Sequence, residues 1–455
     1  MDKIQYYSTN SKLKTNDILG FKKKITFKEA LFTGMAPDKG LFMPTKIPKI
    51  SKKEISSLKG KKYWEAAYLI LKKFLSKEIA SKELKKIAKE AYKFTIPLEK
   101  IDNLTYIARM DNGPTASFKD FAAQLMARLM HKLKPKNKIT ILVATSGDTG
   151  SAIGEAYRGL KGINVFILYP RNEVSSIQKK HMDTIGKNVR AITIDGKFDD
   201  CQKFVKEAFS DKDLKELNLT SANSINIGRI IPQIIYYFYL YANIAKNNEK
   251  IIFSIPSGNF GNSLGCEFAR RMGLPVKKII LAVNENDEFP RFLSTKVYNK
   301  IEPSVACISN AMNVGNPSNL ARYFELYGGT IDKEGIIHKM PHMREMKKNL
   351  YSVSISDRET VKAIKEMHKK YKILIEPHGA VGIAALKDYR KKNKRTLSIC
   401  LETADPAKFP ETIKKELRIN PKIPKAMKFM FKRKGKTVKI PNKYEDFKKY
   451  LLKQK

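Results

Sequence analysis

Cysteine is scarce and scattered. The four, Cys201, Cys266, Cys307 and Cys400, form no Cys-x-x-Cys pair, which excludes a thiolate zinc site and a disulfide scaffold and leaves reduced core residues as the expectation. Histidine is almost as rare. His338 and His342 are four apart, but Pro341 stands between them and argues against one ligand-bearing helix, so no metal is expected. Long apolar spans and a secretory leader are missing, since the first residues are polar and charged; this reads as a cytoplasmic protein without a membrane partner. Internal repeats, low-complexity linkers and heptads are missing too. Acid is in short supply, with 45 Asp and Glu against 88 Lys and Arg, a net charge of +43. Such a charge favours polyanions. Yet the basic residues are mostly lysine and are spread along the chain, and runs such as Lys22-Lys23-Lys24 and Lys432-Arg433-Lys434 read as solvated faces. No helix-turn-helix, zinc-finger spacing or RNA-binding aromatic signature accompanies them, so no dedicated nucleic-acid partner is expected.

What is present is a set of chemical loops. Lys119 lies in Asp111-Asn112-Gly113-Pro114-Thr115-Ala116-Ser117-Phe118-Lys119-Asp120-Phe121, where Phe118 and Phe121 mark a buried turn. Burial lowers the pKa of an amine and frees its lone pair for Schiff-base formation; taken alone, the segment reads more readily as a solvated lysine at a helix start capped by Ser117 or Asp120. The second loop is Ala144-Thr145-Ser146-Gly147-Asp148-Thr149-Gly150. It follows the β-branched run 139–143 and opens a helix, a junction whose free amides suit a carboxylate or phosphate oxygen. Its spacing is not that of a dinucleotide fingerprint.

The third loop, Ser257-Gly258-Asn259-Phe260-Gly261-Asn262, again joins a strand to a helix. Two glycines let the backbone fold around an anion, and the asparagines and serine add neutral donors, so the loop reads as a phosphate cup. The fourth, Leu401-Glu402-Thr403-Ala404-Asp405-Pro406-Ala407-Lys408-Phe409, ends a strand and opens a helix near Pro406. Glu376-Pro377-His378-Gly379 starts another helix, and both loops are expected at strand C-termini, where open α/β sheets place ligands.

At 455 residues and 42% hydrophobic content the chain exceeds one ordinary domain and can bury a large core. Strands near 163–168, 189–194 and 278–283 alternate with helices near 175–185, 198–210 and 229–245, which predicts an α/β fold of two doubly wound domains with mostly parallel sheets. The divisions expected are an N-terminal segment (1–97), a small mobile βαβ domain beginning at the lysine (98–219) and a large cofactor-binding domain (220–455).

Together these loops resemble threonine synthase, and the likeness extends through Tyr6-Tyr7-Ser8-Thr9, Phe27-Lys28-Glu29-Ala30-Leu31 and Pro37-Asp38-Lys39-Gly40-Leu41-Phe42-Met43-Pro44. The resemblance implies an enzyme of pyridoxal-phosphate fold type II that converts O-phospho-L-homoserine and water to L-threonine and phosphate, as a monomer or homodimer. It implies that Lys119 holds the cofactor as a Schiff base and then shuttles protons. Ser257, Gly258, Asn259, Phe260, Gly261 and Asn262 would hold the cofactor phosphate, Thr403 would address the pyridine nitrogen, and Asp148 would lie near the phenolic oxygen, although a carboxylate there would repel it. Substrate contacts would come from Thr115, Ser117, Thr145, Ser146, Gly147 and Thr149. For the substrate phosphate the candidates are Ser175, Gln178, Asn226 and Arg229, with Arg229 preferred to Arg171. Asp405 departs from the family, which usually carries histidine there; it either approaches the ring or, as the dipole favours, caps the Pro406 turn. The alternative function is a related lyase, such as a serine or threonine dehydratase or a phospho-lyase giving 2-oxobutyrate. It would share the lysine and the cups.

Overall fold

A computed structural model describes residues 3–15, 17–145, 147–246 and 248–454. Two sheets organise it. The larger has six strands in the order Leu350–Ser354, Val276–Val283, Ile251–Pro256, Ser398–Glu402, Thr105–Arg109 and Leu98–Asp102. Its neighbours run parallel except for the final hairpin pair. The smaller sheet is wholly parallel, in the order Thr437–Ile440, Val189–Ile194, Ile163–Pro170, Ile139–Ala144 and Leu219–Ser221. Helices cover both faces of such sheets, so the central strands carry continuous apolar runs. Ile139–Ala144 and Ile251–Pro256 are buried at every position.

Sheet membership departs from the boundaries read in the sequence. Strands Leu98–Asp102 and Thr105–Arg109 pair into the large sheet, not the small one, and Thr437–Ile440 returns from the C-terminus to the edge of the small sheet. Helix Tyr444–Leu452 follows it, and Phe447 and Leu451 fill the core beneath. A four-residue strand is too short to show which sheet it joins; only its partner's open edge decides that.

The N-terminal part packs helices Tyr63–Leu75 and Ser81–Ala91 against helices Lys119–Leu133 and Ile227–Ile244. Tyr63, Tyr92 and Phe121 meet edge to face there. All four cysteines are buried and unbridged. Among the described residues no helix is long and apolar enough to cross a membrane.

Candidate active site

Lys119 is the first residue of helix Lys119–Leu133. The loop before it is stitched to the fourth loop: Ser117 bridges Ala404, the Phe118 amide donates to the Thr403 carbonyl at 2.8 Å, and the Asp405 amide donates to the Ala116 carbonyl at 3.0 Å. Ala116 takes a left-handed conformation, φ 52°, to make the turn, a conformation that costs a non-glycine residue energy. The lysine and Thr403 are thereby fixed side by side. The Lys119 ammonium lies 4.2 Å from the centre of the Phe118 ring. Burial, followed by the nearby Arg229 and Lys408 cations, pushes its pKa down to about 7.

Neither Ser117 nor Asp120 caps this helix. Asp120 instead takes the amide and hydroxyl of Thr115, both at 2.8 Å. Thr115, expected to touch substrate, therefore spends its hydroxyl on the loop. Gly113 is required at this spot, because a Cβ there would stand 2.3 Å from Asp120 Oδ2. Ser117 is fully buried and its hydroxyl has no partner among the described residues.

The anion cup precedes helix Gly261–Met272, with Phe260 in a left-handed conformation at the cap. Two of the expected side-chain donors, Ser257 and Asn262, are committed within the loop. Ser257 Oγ donates to the Ile255 carbonyl at 3.0 Å, and Asn262 Nδ2 to the Pro256 carbonyl at 2.7 Å. Asn259 Oδ1 accepts from the Ser318 hydroxyl at 3.1 Å. Each polar side chain pins the loop. Gly258 to Asn262 line the cleft where helix Gly261–Met272 begins, and free backbone amides at such a helix N-terminus suit an anion.

On the opposite wall Thr145 Oγ1 accepts from the amides of Gly147 and Gly150, both at 3.0 Å, and locks the turn. Thr145, Asp148 and Thr149 line the cleft. Gly147 has φ 134° and no room for a Cβ, which would meet Gln178 at 2.4 Å. Ser146 lies outside the described residues. Burial raises the Asp148 pKa, but Lys408 and the bond from Gln178 more than offset that and hold it below the ordinary value. Its partner is Lys408 at 2.7 Å, so the repulsion expected of a lone carboxylate is already answered.

Ser175 and Gln178 are not among the cleft-lining residues. They form a capping box for helix Ser176–Asp183. Ser175 Oγ also donates to the Lys408 carbonyl at 2.7 Å, and Gln178 Nε2 to Asp148 at 3.0 Å. Asn226 is likewise committed: its Nδ2 donates to Leu31 and Ser221 carbonyls, and its Oδ1 caps helix Ile227–Ile244. All three side chains expected at the substrate phosphate thus make hydrogen bonds within the protein.

Arg229 does line the cleft. It is 3% exposed, donates through Nη1 to the Ala222 carbonyl at 2.7 Å and leaves Nε without a partner among the described residues. No carboxylate pairs with it among the described residues, and burial pushes its pKa down to about 10. A buried arginine without a counter-ion is costly unless an anion arrives. Arg171, by contrast, is half exposed beside Asp195.

At the far end Thr403 Oγ1 meets Glu376 Oε1 at 3.0 Å. The Glu376 loop follows helix Asp357–Tyr371 rather than a strand, yet it reaches the site because its amide binds Glu402, at the end of Ser398–Glu402, at 2.7 Å. Gly379 allows this approach; a Cβ would lie 1.6 Å from Glu402 Oε2. Asp405 accepts the Ala407 amide at 2.8 Å, which is the capping role. Lys408, Glu376 and His378 belong to the site although sequence reasoning gave them no role.

Known proteins are similar to the chain along its whole length. The chain matches the family models described as threonine synthase N terminus over residues 5–92, pyridoxal-phosphate dependent enzyme over 92–400 and threonine synthase, C-terminal, over 379–451. Threonine synthase of Buchnera aphidicola subsp. Acyrthosiphon pisum is 38% identical over 410 residues, 89% of this chain and 92% of that one. The crystal structure of threonine synthase from Escherichia coli superposes with a TM-score of 0.88 at 32% identity, covering 99% of this chain and 100% of the other. A PLP-bound threonine synthase from Brucella melitensis gives 0.89 at 31%, covering 99% of each. A fungal L-serine ammonia-lyase from Rhizomucor miehei, at 12% identity and a TM-score of 0.52 over 71% of this chain and 99% of that one, shares the fold alone. Three family models that together span the chain, and relatives this similar from end to end, place it: the chain belongs to the threonine synthases, pyridoxal-phosphate-dependent enzymes of fold type II.

Proposed function

We propose that the substrate is O-phospho-L-homoserine, converted with water to L-threonine and phosphate, and that Lys119, Thr403, Arg229 and the two loop amide sets divide the work. The residues fit pyridoxal phosphate. A lysine whose pKa is lowered to about 7, so that a large share is neutral there, suits the aldehyde, and the amides of Gly258 to Asn262 suit the phosphate. The Thr403 hydroxyl suits the ring nitrogen. When bound, the cofactor supplies an electron sink for charge left on a substrate carbon as a proton is removed.

Lys119 Nζ takes and returns protons, because an amine titrating near neutrality serves as acid and base by turns. The turn holding Thr145, Gly147 and Thr149 receives the substrate carboxylate. Asp148, neutralised by Lys408, adds little repulsion to it. Arg229 holds the phosphate that leaves from the γ-carbon. The parallel five-stranded unit carrying the 145–149 turn is proposed as the part that closes over the substrate and excludes water.

The unpaired buried guanidinium of Arg229 carries the substrate assignment. A donor that stabilises charge as it develops contributes mainly to turnover, so Arg229→Ala is expected to lower kcat for O-phospho-L-homoserine by roughly two orders of magnitude or more. The same variant is expected still to bind L-threonine, seen as a change in the visible cofactor spectrum. Full turnover in Arg229→Ala would remove the residue from the phosphate site. A parent enzyme that ignored phosphohomoserine and deaminated serine or threonine would overturn the reading.

A further inference from the structure

Behind the anion cup lies a second buried arginine without a counter-ion. Arg322, in the short helix Leu320–Leu326, is fully buried, and no carboxylate pairs with it among the described residues. Burial alone pushes its pKa down to about 9, so it keeps its charge through the neutral range. Its donors are met. Nε donates to the Phe42 carbonyl at 3.1 Å, Nη1 to Asn319 Oδ1 at 2.6 Å and the Ser224 carbonyl at 3.1 Å, and Nη2 to the Ile225 carbonyl at 2.6 Å. Its charge is not answered, because every one of these acceptors is neutral, and a buried charge in that state is costly.

The acceptors lead to the cup. Asn319 turns Oδ1 to Arg322 and donates through Nδ2 to the Asn259 carbonyl at 2.9 Å. Ser224 lines the cleft together with Asn259 and Gly261, and a Cβ on Gly261 would lie 3.4 Å from Ser224 Cβ. One side chain or one carbonyl therefore separates the guanidinium from the loop. Glu267, the buried acid of helix Gly261–Met272, is taken by Arg270 and Arg271, each at 2.7 Å. A neutral donor could tie the same carbonyls without bringing a charge indoors. What it could not supply is the field, which reaches across several ångströms of protein interior.

We infer that Arg322 is a positioning residue for the cofactor phosphate: its fork fixes the backbone of the cup through Asn319, and its unanswered charge holds the bound phosphate as a dianion. This rests on the reading that Gly258 to Asn262 receive that phosphate. The two buried arginines of the described residues, Arg229 and Arg322, then match two phosphates. Arg229 faces the one that leaves, and Arg322 backs the one that stays.

The test compares pyridoxal phosphate with pyridoxal, which has the aldehyde but no phosphate, as ligands of the full-length apoprotein. Arg322→Met is expected to lower the preference for the phosphorylated ligand by roughly tenfold or more, with Arg322→Lys, which keeps the charge, in between. Equal weakening of both ligands would mark a merely structural residue and overturn the inference. Asn319→Asp, which hands Arg322 a carboxylate at nearly unchanged shape, should lower the preference too; an unchanged preference counts against the inference in the same way. Phosphorus magnetic resonance reads the charge itself. The bound phosphate of the parent is expected to stay dianionic well below about pH 6, where a free phosphate monoester takes up its second proton. A parent phosphate that titrates at about 6 overturns the inference even if no variant folds. Asn262→Ala loosens the cup by removing the bond to the Pro256 carbonyl. If it spares the preference, the cup reading fails and this inference with it; if it lowers the preference and the Arg322 variants do not, this inference alone fails.

Discussion

At the scale of single residues, Lys119 shows how an amine becomes reactive without any special chemistry of its own. It is buried, and Arg229 and Lys408 oppose its charge, so its pKa falls from 10.5 to about 7. Below that pH the folded protein holds the amine protonated and its lone pair is tied up. The rate at which cofactor-free protein captures pyridoxal phosphate is therefore expected to rise through about pH 7 and level off well short of 10.5, as followed by absorbance. A rate still climbing at 10.5 would mark an ordinary lysine. Lys119→Ala is expected to lose the visible cofactor band that borohydride bleaches in the parent.

Asp405 makes the opposite case. Its carboxylate caps the turn at Ala407, so Asp405→Asn should cost on the order of 1 kcal/mol or less in a denaturant titration and leave the cofactor spectrum unchanged. A shifted spectrum would place the carboxylate at the ring. Lys119 and Arg229 were legible because each stands in a run of small and apolar neighbours. Lys408 stands in a similar run, Pro406-Ala407-Lys408-Phe409, and that was the available signal for its burial. Ser175 and Gln178 show the converse. Their Ser-x-x-Gln spacing is a capping box, a local reason for polar residues that needs no ligand.

At the scale of elements, the strand-loop-helix junctions could be read because period and punctuation change together there. Val189–Ile194 and Phe198–Ser210 follow the sequence pattern to the residue. The crossing of helices could not be read, since it depends on which small residue meets which backbone. Gly265 lies where helix Gly261–Met272 crosses helix Ile227–Ile244; a Cβ there would sit 2.5 Å from the Gln233 carbonyl oxygen. Alanine gains up to about 1 kcal/mol of helix propensity over glycine. The backbone clash outweighs it, and Gly265→Ala is expected to destabilise the fold by roughly 1–3 kcal/mol net. Because one helix carries the anion cup and the other Arg229, the variant should also retain cofactor more weakly on dialysis. Unchanged stability and retention would show that the helices slide apart freely.

At the scale of the whole molecule, the net charge of +43 acts on the rate of encounter rather than on any one contact. A dianionic substrate is drawn in at low ionic strength, and the field is screened as the Debye length falls from ~30 Å at ~0.01 M salt to ~3 Å at ~1 M. Over that range kcat/KM is expected to fall while kcat changes little. Equal loss in both would point to salt acting on the chemistry. The domain boundaries were the least legible feature. A pairing between Thr437–Ile440 and Val189–Ile194 spans more than half the chain, and nothing local announces it.

That pairing also sets an order of events during synthesis. The large sheet has its last strand once residue 402 is made, whereas the small sheet lacks an edge until residue 440. A chain emerging at about 5–20 residues per second therefore carries Val189–Ile194 with one side open while the rest of its sheet can already pair. An open apolar edge is a template for another chain, so the nascent protein passes through a sticky interval that ends only with its own tail. The C-terminal strand is in this sense a closing clasp as well as a fifth strand: it protects an edge that every other part of the small sheet leaves bare.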